Sequence, residues 1–109
     1  MTQRYVIILS EDPLELTATA RVTDLALQLK KRGHAVTLFM VQNGVLASRS
    51  RAPRDPLAPL LAASIDVLVD DFSLHERGID PDELRPGLTA APIDAVVTRM
   101  AAGWNTLWS

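Results

Sequence analysis

Three short runs, YVIIL at 5–9, AVTLFMV at 35–41 and IDVLV at 65–69, are apolar almost without a break and rich in β-branched residues. A strand with one wet face alternates apolar and polar side chains, so unbroken runs of this length read as strands covered on both faces. Such strands belong to parallel sheets, whose neighbours need a crossover of a dozen or more residues, usually a helix. The first intervening segment has that form. From Leu16 to Arg32 the apolar residues Leu16, Ala20, Val22, Leu25, Ala26 and Leu29 recur at threes and fours, Lys30, Lys31 and Arg32 load the last turn, and Gly33 stops it. Strand, helix and strand in this order make a right-handed βαβ unit.

After Val41 the stretch QNGVLASRSRAPRDP is mostly irregular, because Pro53 and Pro56 prevent a long helix. Pro56 suits the first turn of a helix through LAPLLAAS, with Asp55 as its N-cap. The third strand, Ile65 to Val69, runs into Asp70 and Asp71, and Phe72 to Arg77 forms a short helix ended by Gly78. Turns then surround a short fourth strand at about Gly87 to Thr89. A helix from Pro92 to Ala102 carries Ile93, Val96, Val97 and Met100 at helical spacing, and NTLW at 105–108 is a final strand. The expected architecture is one α/β domain over residues 1–109, a five-stranded, mostly parallel sheet with helices on both faces.

The 109 residues suffice for a single core, and 48% hydrophobic with 22% charged residues is a globular balance. A formal net charge of −2 offers no general attraction for nucleic acid or anionic membrane. With no cysteine, the chain has no disulfide, no thiolate nucleophile and no thiolate metal ligand. The first apolar run is too short for a signal-peptide core of roughly 7 to 15 residues, and no stretch reaches the roughly 20 needed to span a bilayer. The cytoplasm is the expected location.

In open α/β sheets, ligands bind beyond the carboxyl ends of the strands. Three such ends are polar: Ser10-Glu11-Asp12, Gln42-Asn43-Gly44 and Asp70-Asp71-Phe72-Ser73. The expected pocket therefore comprises Ser10, Gln42, Asn43, Gly44, Asp70, Asp71, Phe72 and Ser73. Each has a local alternative. Ser10 and Asp71 can cap helices, Asn43-Gly44 can be a left-handed turn, and Asp70 must be paired, capped or solvated whatever its role. His75 stands near carboxylates, but no second histidine follows at i+4, and no metal is expected. His34 is expected to bond carbonyls of the preceding helix. Neither Ser10 nor Ser73 sits in a nucleophile elbow, and no glycine-rich phosphate loop is present, so no nucleotide cofactor is expected. Arg49, Arg51 and Arg54 read as a solvated basic loop.

The order of elements, GHAVTLFMVQNGVLASR at 33–49, VLVDDFSLHERGI at 67–79 and the terminal helix followed by LWS together resemble the DsrE/DsrF-like proteins, which include the TusD sulfur-relay subunits. The resemblance runs over nearly the whole chain. It implies a small α/β sandwich that assembles into dimers, trimers or hexamers. It also implies a persulfide-carrying cysteine at the end of the third strand, with a glycine about eight residues later closing the short helix. Counting back from Gly78 reaches Asp70. An aspartate oxygen cannot carry sulfane sulfur, so persulfide transfer by this chain is not expected.

The expected role is that of a non-catalytic oligomeric protein, a small-ligand-binding, structural or regulatory subunit linked to sulfur or redox metabolism. Its partners would be copies of itself or a paralogous subunit, with no cofactor. Leu46, Leu57, Leu60, Leu61, Trp104 and Trp108 exceed the needs of one small core and are the expected contact residues. The alternative is an enzyme using Asp70 or Asp71 as general acid or base on a small substrate.

Overall fold

A computed structural model describes residues 2–12, 14 and 16–109. Five strands, β1 (Arg4–Leu9), β2 (Ala35–Met40), β3 (Asp66–Asp70), β4 (Thr89–Ala91) and β5 (Asn105–Trp108), form one sheet in the order β4-β3-β2-β1-β5. Every pair is parallel, so all carboxyl ends lie along one edge. Among the described residues the helices are α1 (Leu16–Lys31), α2 (Ala58–Ala62), α3 (Asp71–Glu76) and α4 (Asp94–Ala101), with 3-10 turns at Gln42–Ser48 and Pro81–Glu83. None is long and apolar enough to cross a membrane.

Alternate residues of each strand feed two cores. On one face Ile7, Leu9, Leu38, Met40, Val67 and Val69 meet Val22 and Ala26 of α1 and Leu60 of α2. On the other, Val6, Ile8, Phe39 and Val41 lie beneath Val96 of α4. This two-sided covering is why the strands carry unbroken apolar runs. Val22, Ala26 and Leu29 face inward from α1 as its period requires, whereas Leu25 is exposed; the inward position expected of Leu16 lies outside the described side chains.

The surplus apolar residues are placed differently from expectation. Leu57 and Leu60 are fully buried, Leu46 and Leu61 pack against the first core, and Trp104 packs against the second. Only Trp108 of that set is largely exposed; among the described residues Leu25, Phe72, Ile93, Val97 and Met100 are the other large apolar groups open to solvent. Helical spacing identifies which residues share a stripe but not how many layers cover it.

The fourth strand begins two residues later than the sequence suggests, at Thr89. Gly87 has a φ of 91° and still belongs to the turn, and the pairing Leu68↔Thr89 sets the start. Arg85, which the sequence does not single out, fastens the irregular segment after β2. Its guanidinium donates to the carbonyls of Ala47, Ala52 and Arg54 and lies 3.6 Å from the Asp55 carboxylate. Asp55 is not the N-cap expected of it, a position that Leu57 takes; it accepts instead from the amides of Leu57 and Ala58, each at 3.1 Å, across the turn leading into α2. In the basic loop Arg49 bonds the Leu46 carbonyl and Arg54 bonds that of Leu14, so these two cations are tied down locally.

After α2, Ser64 takes the left-handed role usually filled by glycine: its φ is 62°, its amide donates to the Leu61 carbonyl and the Ile65 amide to that of Leu60. A side chain in this conformation costs about 1–2 kcal/mol. Glycine would relieve that, less about 0.5–1 kcal/mol of extra unfolded-state entropy. Ser64→Gly should therefore raise the melting temperature by a few degrees, and a thermal melt showing a decrease would contradict this account.

Candidate functional site

The carboxyl edge of β3 is built around one buried carboxylate. Asp70 is 7% exposed and is the N-cap of α3, with extended backbone at φ −61° and ψ 118°. Its Oδ2 accepts from the Ser73 amide at 3.0 Å and from the Ser73 hydroxyl at 2.6 Å. Ser73, 3% exposed, in turn accepts at Oγ from the Gln42 amide at 2.8 Å. A continuous polar chain thus runs from the loop after β2, through the Ser73 hydroxyl, to Asp70. Each buried member is satisfied, and no described buried side-chain polar atom lacks a partner.

A second tether runs parallel to the first. Arg77, at the end of α3, donates from Nε and Nη2 to Asn43 Oδ1 at 3.3 and 3.2 Å, and from Nη1 to the Ser73 carbonyl at 3.4 Å. Gly78 closes α3 at a φ of 65°, with the Ile79 amide donating to the Leu74 carbonyl. The short helix is therefore fixed at both ends and pinned twice to the 42–43 loop.

The left-handed conformation expected of Asn43-Gly44 falls one residue earlier. The left-handed residue is Gln42, with a φ of 52°, held there as its amide donates to Ser73 Oγ. Gly44 has no positive φ; it is needed because a Cβ would collide with the Leu9 carbonyl oxygen and stand 3.2 Å from the Leu9 carbonyl carbon. Asn43-Gly44 is thus the start of a 3-10 turn packed on the end of β1, not a left-handed turn.

Of the eight candidate residues, the structure joins Asp70, Ser73 and Gln42 directly, Asn43 through Arg77, and packs Gly44 against the Leu9 carbonyl at the end of β1. Ser10 is elsewhere: its amide and hydroxyl both donate to the Ser109 carbonyl, at 2.8 and 3.0 Å, joining β1 to the end of β5 instead of capping a helix. Asp71 and Phe72 are exposed. Asp71 is not the cap, since the strand ends one residue later than expected and Asp70 takes the N-cap position. His34 bonds the preceding helix through its amide, which donates to the Leu29 carbonyl at 3.1 Å, while its Nδ1 accepts from the Gln3 amide at 2.9 Å and its ring is T-shaped to Tyr5.

Another face of α3 borders a cleft of about 360 Å³ lined by Asp71, Leu74, His75, Gly78, Ile79, Asp80 and Pro81. Asp71, Leu74, His75 and Gly78 share that face by their i, i+3, i+4 and i+7 spacing. Among the described residues, no group of three or more metal-ligating side chains is placed to hold an ion.

The fold and this edge define a class: a small parallel α/β protein whose strand-to-helix turn after β3 is closed by a capping carboxylate. No family model matches the chain, and neither does any curated protein. Solved structures do share its fold. The protein of unknown function MTH1491 from Methanobacterium thermoautotrophicum superposes with a TM-score of 0.87 at 17% identity, covering 98% of this chain and 99% of that one. The ychN protein from E. coli gives 0.85 at 20% identity, with 98% and 99% covered. The conserved protein of unknown function BT1422 from Bacteroides thetaiotaomicron gives 0.75 at 16%, with 96% and 94% covered. At these identities the likeness is one of fold.

Proposed function

We propose that this chain is a non-catalytic subunit of the DsrE/DsrF type, serving a structural or regulatory role in an oligomeric assembly linked to sulfur or redox metabolism. The observation that carries the reading is the commitment of Asp70. At the position where the resemblance implies a persulfide cysteine, both the amide and the hydroxyl of Ser73 donate to one carboxylate oxygen, and the group is almost wholly buried. The cap occupies Oδ2, so an acid or base role would fall to Oδ1 alone, on a carboxylate only 7% exposed. The neighbouring carboxylates also do not form a pair, because Asp70 is buried while Asp71 is exposed. The site then serves as a joint between β3, α3 and the 42–43 loop.

The assembly part of the reading is tested by size-exclusion chromatography with light scattering at tens of micromolar. A mass above that of one chain is expected, with Asp70→Asn leaving it unchanged; a clean monomer would sink the reading. A small-ligand role draws support from the cleft beside Asp71 and His75, whose volume of about 360 Å³ lies at the lower end of the roughly 300–1,000 Å³ typical of ligand pockets.

A further inference from the structure

The two faces of the sheet are finished differently. On one, α1 turns Arg21, Asp24, Gln28 and Lys31 to solvent, as a surface helix does. On the other, α4 is the only described helix over the core of Val6, Ile8, Phe39 and Val41, and its outer side is apolar: Ile93, Val97 and Met100, spaced i, i+4 and i+7, are 49%, 56% and 52% exposed. Its two charged residues do not cover that stripe. Asp94 stands at the first residue, and Arg99 turns inward, donating to Thr37 Oγ1 at 3.3 Å and to the Ala95 carbonyl at 2.9 Å, with its guanidinium over the Trp104 ring. Trp108, 70% exposed, lies on the same face, because it is in register with Ile8.

We infer that a second copy of this chain packs on α4 about a two-fold axis close to Val97, the two helices antiparallel. This rests on the assembly reading above and names the surface that reading requires. The area suits a second copy: the four side chains expose on the order of 400 Å², enough for the apolar centre of an interface in which each partner buries roughly 800 Å².

Symmetry favours it too. A two-fold contact must be self-complementary, and an antiparallel pairing sets Ile93 against the partner subunit's Met100 with Val97 meeting its own counterpart. The same pairing brings the acidic start of one helix, Asp94, toward the far end of the other, where the exposed Arg4 guanidinium donates to the Ala102 carbonyl at 2.7 Å. Opposed helix dipoles add to this match.

The absence of cysteine makes the test direct. Val97→Cys introduces the sole thiol, and under mild oxidation it is expected to form a disulfide-linked dimer within the assembly at micromolar concentration, whereas Leu25→Cys on α1 is expected to stay unlinked. Val97→Glu should halve the mass seen by light scattering or weaken self-association by about 30-fold or more, as loss of a central contact does. Circular dichroism of each variant reports folding, and the Val97→Cys result stands even if the charge unfolds the chain. A wild-type monomer overturns both this inference and the assembly reading. A wild-type oligomer that survives Val97→Glu and does not cross-link through position 97 overturns this surface alone.

Discussion

Gly44→Ala is expected to be among the most damaging single-methyl changes in the chain, costing about 3 kcal/mol or more. The added carbon would meet the Leu9 carbonyl, and that carbonyl is not free to move, since it accepts the Val41 amide at 2.9 Å. The Glu11 carbonyl oxygen, 3.5 Å from the same point, blocks the next direction of escape. Overpacking that can be relaxed by side-chain motion costs about 1–3 kcal/mol, and here the obstacle is backbone at the carboxyl end of β1, a strand paired on both sides. Against a total of about 5–15 kcal/mol for a domain of this size, a thermal melt should fall by roughly 10–20 °C. A fall of only a few degrees would mean that the 42–48 turn can lift off β1.

Asp70→Ala is expected to cost about 2–3 kcal/mol, more than an exposed cap, because it also strands a buried serine hydroxyl and amide. Ser73→Ala should cost somewhat less, and the double variant little more than Asp70→Ala alone, since both remove the same bonded pair. Denaturant titration of the four proteins measures this directly. Asp70→Asn, which keeps an acceptor oxygen, should lose least. A gain in stability on removing Asp70 would reverse the interpretation, because residues retained for activity are often held at the expense of stability.

Most of the layout can be read from the residues, for identifiable reasons. Continuous apolar runs identify strands covered on both faces, and glycines at 33, 78 and 103 mark helix ends because each carries a positive φ. The turn details are harder to read, since adjacent residues compete for one role. Asp70 and Asp71 are chemically identical, and only the last bond of β3, which extends the strand to Asp70, decides which becomes the cap. Asn43-Gly44 has the composition of a left-handed turn, yet the glycine is required by the nearness of β1, a contact between segments some 35 residues apart. The link between Gln42 and Ser73 is equally non-local and uses a backbone amide, so no side-chain motif announces it.

The position of β5 has a kinetic consequence. It pairs with β1, so a strand made some 100 residues later must close on it, and one flank of β1 stays open until residues 105–108 have left the ribosome. Through that interval Tyr5 to Ile8 offer unpaired amides and carbonyls along an apolar segment, the kind of edge that recruits other chains. The sheet grows outward from β1 and β2 in both directions, and the contacts that close it are among the longest-range in sequence, so they form late. The final four-residue strand thus acts as a seal on nascent chains, and its arrival marks the point at which a growing polypeptide stops being a template for its neighbours.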